Sequence, residues 1–149
     1  MSMKLSTRSR YGTRALLELA LHQGEGPVQL KDISRSQQIS FPYLVHIFSP
    51  LISAGIVRST RGARGGVSLA RTPEKIKLSE VIQLLEGSFA LAECLNNPGV
   101  CDRSEFCATR DIWSELKEAM EGVLASTTLK DLVDRQKKKK QPELAMYYI

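Results

Sequence analysis

A chain of 149 residues is long enough for one compact domain with an extension and too short for two catalytic domains. Hydrophobic residues at 42% and charged residues at 25% are globular values that exclude wholesale disorder, and no apolar stretch approaches the roughly 20 residues of a membrane span. The net charge of +5 is unevenly spread: residues 1–75 hold 11 Lys and Arg against 4 Asp and Glu, net +7, while residues 76–149 hold 10 against 12, net −2.

The segment from Tyr11 to Gln23 sets Tyr11, Ala15, Leu16, Leu19 and Ala20 at helical spacing, which predicts a first helix ending at Gly24-Glu25-Gly26-Pro27. A short second helix fits Lys31 to Gln37, with Asp32 near its positive end, and Gln38-Ile39 makes a turn. A third helix begins at Phe41 or Pro42. Ser40 is placed to cap it through its hydroxyl, and Leu44, Ile47, Phe48, Leu51 and Ile52 form its apolar stripe. Ser49-Pro50 is a point where it can kink, and Ala54-Gly55 closes it.

Residues Ile56 to Thr60 and Val67 to Ala70 alternate apolar and polar side chains around a glycine-rich turn, the pattern of a hairpin. Leu78 to Glu86 predicts a further amphipathic helix ended by Gly87, where the core domain is expected to close. A loop rich in Asn, Pro, Gly and Asp follows. Ile112, Trp113, Leu116, Ala119, Met120, Val123 and Leu124 then lie on one face of a longer helix, too apolar for water and suited to a partner chain. Thr127-Thr128 can cap a short helix through Arg135, and Lys137 to Lys140 reads as a solvated tail.

Three short helices followed by a two-stranded hairpin are the plan of a winged helix-turn-helix, so the expected fold is mainly α with a small β wing. Basic charge falls where that plan needs it. Residues 57–71 contain Arg58, Arg61, Arg64 and Arg71 and no acid, and glycines 62, 65 and 66 permit close backbone approach. The expected DNA contacts are Arg8 and Arg10, the reading-helix residues Ser40, Phe41, Tyr43 and His46, and the wing residues Arg58, Arg61 and Arg64. The expected partner is double-stranded DNA.

Cys94, Cys101 and Cys107 are the only cysteines and follow a Cys-x6-Cys-x5-Cys spacing within one loop. Thiolates are the ligands of iron-sulfur clusters, whereas structural zinc more often shows a Cys-x2-Cys pair and a regularly spaced fourth donor. Zinc, or three thiols without metal, stand as alternatives. No ferredoxin run, no phosphate-binding glycine loop and no nucleophile with a base is present, which makes an enzyme or a small electron carrier the weakest class.

The stretches Lys4-Leu5-Ser6-Thr7-Arg8-Ser9-Arg10-Tyr11, Gly26-Pro27-Val28, Asp32-Ile33-Ser34, Ile39-Ser40, Tyr43-Leu44, Phe48, Leu51, Ala54-Gly55 and Arg61-Gly62-x-x-Gly65-Gly66 occur in an order and spacing that resemble the Rrf2 family of bacterial transcription regulators. Its branches include IscR, NsrR and CymR. The resemblance spans nearly the whole chain and implies a homodimeric winged-helix repressor or activator, crossed through its long C-terminal helix, on a palindromic operator; the cytoplasmic location is expected from the lack of a membrane span and of a secretory signal in the sequence. From the IscR and NsrR branches it also implies Cys94, Cys101 and Cys107 as ligands of an iron-sulfur cluster, of the 2Fe-2S in preference to the 4Fe-4S type.

Three departures accompany it. Where IscR-like members carry a Glu-Gln pair on the reading helix, this chain has Val45-His46. Where they have a histidine after the third cysteine, it has Arg110, which cannot deprotonate to bind metal. NsrR-like members can recruit an acid near the N-terminus of the other subunit, and the matching stretch here is Arg8-Ser9-Arg10. Glu93, Asp102, Glu105, Asp111, an exogenous thiol or water are therefore the candidates for a fourth ligand.

The expected organisation is a DNA-binding domain over residues 1–87, a cluster loop over 88–107, a dimerisation helix region over 108–136 and a basic tail over 137–149. The leading functional expectation is a repressor whose operator binding responds through the cluster to iron-sulfur status, oxidant or nitric oxide. The alternative is a cluster-free regulator of the CymR kind, set by thiol redox state or a partner protein.

Overall fold

The computed structural model of the chain describes residues 4–87 and 91–147. Helix α1 (Thr7–Leu21) starts one turn before the apolar periodicity does. Its cap explains this: the Ser6 hydroxyl accepts from the Ser9 amide at 3.1 Å, so polar Arg8, Ser9 and Arg10 are drawn into the helix. Helices α2 (Leu30–Gln37) and α3 (Phe41–Ser53) are joined at Gln38, which takes the left-handed conformation at φ 56°. Helix α3 runs on through Pro50. Ser40 occupies its N-cap position without a side-chain capping bond, contrary to expectation. Pro42, second in the helix, lacks one of the two amides that such a hydroxyl normally engages.

Strands β1 (Val57–Thr60) and β2 (Gly66–Leu69) pair antiparallel in the register Val57 to Leu69 and Thr60 to Gly66. Val28 adds one more rung, exchanging both backbone bonds with Val67 at 2.8 Å and tying the hairpin base to the turn after α1. Gly66 is needed here. Its φ is +152°, and a Cβ on it would lie 2.4 Å from the Val28 carbonyl oxygen.

Helix α4 (Leu78–Glu86) buries Leu78, Val81, Ile82 and Leu85 and crosses α1 at Gly12, where a Cβ would meet Leu85 Cδ1 at 2.4 Å. The core does not close at Gly87 as expected. Helix α7 (Leu129–Tyr147) returns to it, with Leu129 and Val133 buried among Leu16, Leu19, Ile76 and their neighbours. The return is pinned by Leu129 N–H donating to the Ile76 carbonyl at 3.0 Å and Leu78 N–H to the Thr127 carbonyl at 2.9 Å. Thr128 and Asp131 cap α7 reciprocally at 2.9 and 3.2 Å, the role expected of the Thr pair. The helix then continues past Arg135, so Lys137 to Lys140 are exposed on helical backbone rather than on an extended tail.

Between α4 and α7 lie the short helix α5 (Glu93–Asn96), two single 3-10 turns at Pro98–Val100 and Ser104–Phe106, and the long helix α6 (Ala108–Ala125). No residue of α6 is fully buried. Ile112 is 54% and Val123 64% exposed, with Trp113 and Leu116 also open, which is the apolar face read from the sequence.

Candidate DNA-reading surface and cysteine loop

The start of α1 meets the start of α3. Tyr11 and Tyr43 pack edge to face, with ring centroids 6.2 Å apart and planes at 82°, which joins the first half of α1 to the first turn of α3. The Arg10 and Arg14 guanidinium groups lie 5.9 and 5.4 Å from the Tyr11 ring centre. Arg14 also donates to the Gln37 carbonyl at 2.8 Å and to Gln37 Oε1 at 3.1 Å, and with Glu18, which accepts from Ser36 and Gln37, it ties α1 to α2. Arg8 and Arg10 are exposed, as are Ser40, Phe41 and His46, while Tyr43 is half-buried against the core.

In the wing, Arg58, Arg61 and Arg64 are exposed and no ion pair involves them among the described residues. Arg71 differs. It holds Glu80 in a two-bond contact at 2.6 and 3.1 Å, which raises its pKa and anchors the end of the hairpin to α4. Its charge is therefore spent inside the fold.

All three cysteines are free, Cys101 exposed and Cys94 and Cys107 half-buried. Cys94 sits in α5, Cys101 directly after the first 3-10 turn, and Cys107 at the N-cap of α6. Their chemistry suits a cluster. Their placement does not gather them: among the described residues no group of three or more His, Cys, Asp or Glu is positioned to hold a metal ion. The Cys107 sulfur lies 3.1 Å from the Thr109 hydroxyl. Hydrogen bonds from that hydroxyl and from the Arg110 amide hold its pKa below the ordinary thiol value, against opposing pushes from desolvation and then from Asp111.

Arg110, standing where IscR-like members have a histidine, fills a structural role instead. Its Nε and Nη2 reach the Cys94 carbonyl at 3.4 and 3.3 Å, fastening the first turn of α6 to the start of the loop. Ser104, buried, donates to the Pro98 carbonyl at 2.8 Å and braces the loop interior. The fourth-ligand candidates Glu93, Asp102, Glu105 and Asp111 are all exposed. Phe106, next to Cys107, is 90% exposed.

Sequence reasoning missed Glu86. This last residue of α4 accepts from the Ser6 amide at 3.1 Å, the Ser6 hydroxyl at 2.7 Å and the Ser9 hydroxyl, which lowers its pKa. It fixes the helix start that carries Arg8 and Arg10, and lies eight positions before Cys94. The signal was the pair Ser6 and Ser9, legible as a cap but not as a partner for a carboxylate so distant in sequence.

Comparison with known proteins agrees with this architecture. The Rrf2 family model, described as an iron-dependent transcriptional regulator, matches residues 5–135. The protein rrf2 of Nitratidesulfovibrio vulgaris is 46% identical over 131 residues, 88% of this chain and 87% of that protein. Among solved structures, CymR, the global cysteine regulator of B. subtilis, superposes with a TM-score of 0.78 at 39% identity, covering 90% of this chain and 98% of that one. IscR of T. potens gives a TM-score of 0.75 at 40% identity, covering 91% and 90%.

Proposed function

The chain belongs to the Rrf2 family of transcriptional regulators, and on that premise we propose that it is a dimeric repressor whose hold on operator DNA is set by an iron-sulfur cluster carried on Cys94, Cys101 and Cys107. The observation that carries the reading is the confinement of all three cysteines, each free, to the loop leading into α6. An iron-sulfur cluster supplies, when bound, a centre that oxidants, nitric oxide and iron shortage can damage or remove.

The DNA side of the proposal divides the work by charge. Helix α3 enters the major groove with Ser40, Phe41, Tyr43 and His46 toward the bases, while Arg8 and Arg10 from α1 and Arg58, Arg61 and Arg64 from the wing take the flanking phosphates. Two copies joined along the exposed apolar face of α6 would present two such lobes to a palindromic site.

Two contacts flank the cysteine loop, one at the start of α6 and one at the end of α4. Cys94 would hold the cluster with Cys101 and Cys107, and its carbonyl accepts from Arg110 in the first turn of α6. The same loop follows α4, whose Glu86 fixes the beginning of α1.

A second reading dispenses with the cluster and makes Cys107 a redox thiol, favoured by its depressed pKa beside Thr109. The deciding experiment is the visible spectrum with iron and sulfide content of protein purified without oxygen, for wild type and Cys101→Ala. Bound iron and sulfide that the variant loses support the cluster. A colourless, iron-free wild type that still binds DNA overturns it and leaves the thiol reading.

A further inference from the structure

We propose that α3 reads its half-site through the 5-methyl groups of thymine, with Phe41 and Val45 as the specificity-determining side chains. The inference rests on the reading of α3 as the helix that enters the major groove.

The composition of the helix limits what it can recognise. Its thirteen residues, Phe41-Pro-Tyr-Leu-Val-His-Ile-Phe-Ser-Pro-Leu-Ile-Ser53, include no acid, no carboxamide, no lysine and no arginine. Guanine is read in the major groove by Arg or Lys, adenine by Asn or Gln, and cytosine by Asp or Glu accepting from its amino group. None of those side chains is available on α3. Thymine is the base whose groove edge carries an apolar group, and apolar side chains such as Phe meet it.

The exposed face has the matching chemistry. Leu44, Ile47, Phe48 and Leu51 are fully buried and hold the helix in the core, while Phe41 and Val45 are 47% and 42% exposed. They lie one turn apart in a single row, with Ser40 and His46 beside them as exposed polar groups that contact a base edge without selecting one base as Arg, Asn or Glu does. A rise of about 1.5 Å per residue separates them by about 6 Å, close to two base steps of about 3.4 Å. Exposed Phe and Val in adjacent positions cost hydration in the free protein, and contact with methyl groups recovers it. Phosphate anchoring is supplied from α1 and the wing, so α3 can omit charge.

The test begins with full-length protein and a pool of random-sequence duplexes. Enriched half-sites are expected to carry two thymines within about three base pairs, the spacing set by about 6 Å of helix. Replacing each thymine by deoxyuridine keeps pairing and removes only the methyl; wild type should bind about fourfold more weakly per methyl lost. Val45→Ser, which removes both methyl groups at an exposed position, should stop distinguishing thymine from deoxyuridine at one position, and Val45→Glu should shift the preference there to cytosine. Enriched half-sites whose affinity ignores the deoxyuridine exchange, or Val45→Glu selecting the same site as wild type, would overturn the methyl reading while leaving DNA recognition by α3 intact. A pool in which no sequence is enriched would overturn both.

Discussion

The Ser6 hydroxyl donates to the Glu86 carboxylate at 2.7 Å, so a residue at the end of α4 secures the beginning of α1 across 80 positions of sequence. With Ser9 fully buried beneath it, the carboxylate places negative charge at the positive end of α1 and satisfies two hydroxyls and a backbone amide at once. Glu86→Ala should lower unfolding stability by about 1–3 kcal/mol, because those donors lose their acceptor. Urea unfolding measures this directly; a change within error would mean that water replaces the carboxylate at no cost.

The same contact sets a pH dependence. Hydrogen bonding from Ser9, and then from Ser6, depresses the folded-state pKa of Glu86 below the ordinary carboxylate value. The stability it contributes is therefore complete above that ordinary value and is lost as pH falls toward and through the folded-state pKa. Wild type should lose more stability than Glu86→Gln on moving from neutral pH into that acid window, and parallel curves would refute the assignment.

The wing predicts a salt-linked loss. Arg61→Ala and Arg64→Ala should each weaken DNA binding and reduce the slope of log affinity against log salt by about 1 if the contact is to phosphate. Fluorescence anisotropy at several salt concentrations reads both effects. An unchanged slope in the double variant removes the wing from the interface.

Close packing between α1 and α4 predicts a compensating pair. A Cβ at Gly12 would lie 2.4 Å from Leu85 Cδ1 and 3.2 Å from Ile47 Cγ2. Gly12→Ala should destabilise the fold by about 1–3 kcal/mol through overpacking. In the Leu85→Ala background the same change should cost less, since the obstructing methyl is gone. Strict additivity of the two in thermal unfolding would contradict the contact.

Cys107 should alkylate as a thiolate at lower pH than an ordinary thiol, because Thr109 and the Arg110 amide stabilise its charged form. Mass spectrometry of iodoacetamide-treated protein across pH gives the midpoint, and Thr109→Val should move it upward. A midpoint at or above the ordinary thiol value, unmoved by the substitution, would remove the basis for Cys107 as the reactive thiol.

Periodicity made the winged helix legible. The stripe of Leu44, Ile47, Phe48 and Leu51 and the alternation around Arg61 to Gly66 are local patterns, and α3 and the hairpin formed within a residue or two of where they were expected. What escaped was long-range. The early start of α1 depends on a serine cap that polar Arg8, Ser9 and Arg10 disguise, and core closure depends on Leu129 and Val133 returning from the far end of the chain. The lysine run after Arg135 hid helical backbone because charge repels without forbidding a helix. At the loop, cysteine spacing revealed a constellation, but the tie from the Arg110 guanidinium ends on a main-chain carbonyl, that of Cys94, which no side-chain pattern encodes. The likeness to the Rrf2 family lies in the ordered motifs of the first half, and the family model spans residues 5–135.

The most direct test of cluster control is a DNA titration with duplexes selected from a random pool, using protein that carries iron and sulfide and the same protein after both are removed. Cluster control predicts that the two forms of the wild type differ in affinity by about tenfold or more, equivalent to about 1.4 kcal/mol, and that Cys101→Ala shows one affinity under both treatments. Equal affinities for the two wild-type forms would contradict it.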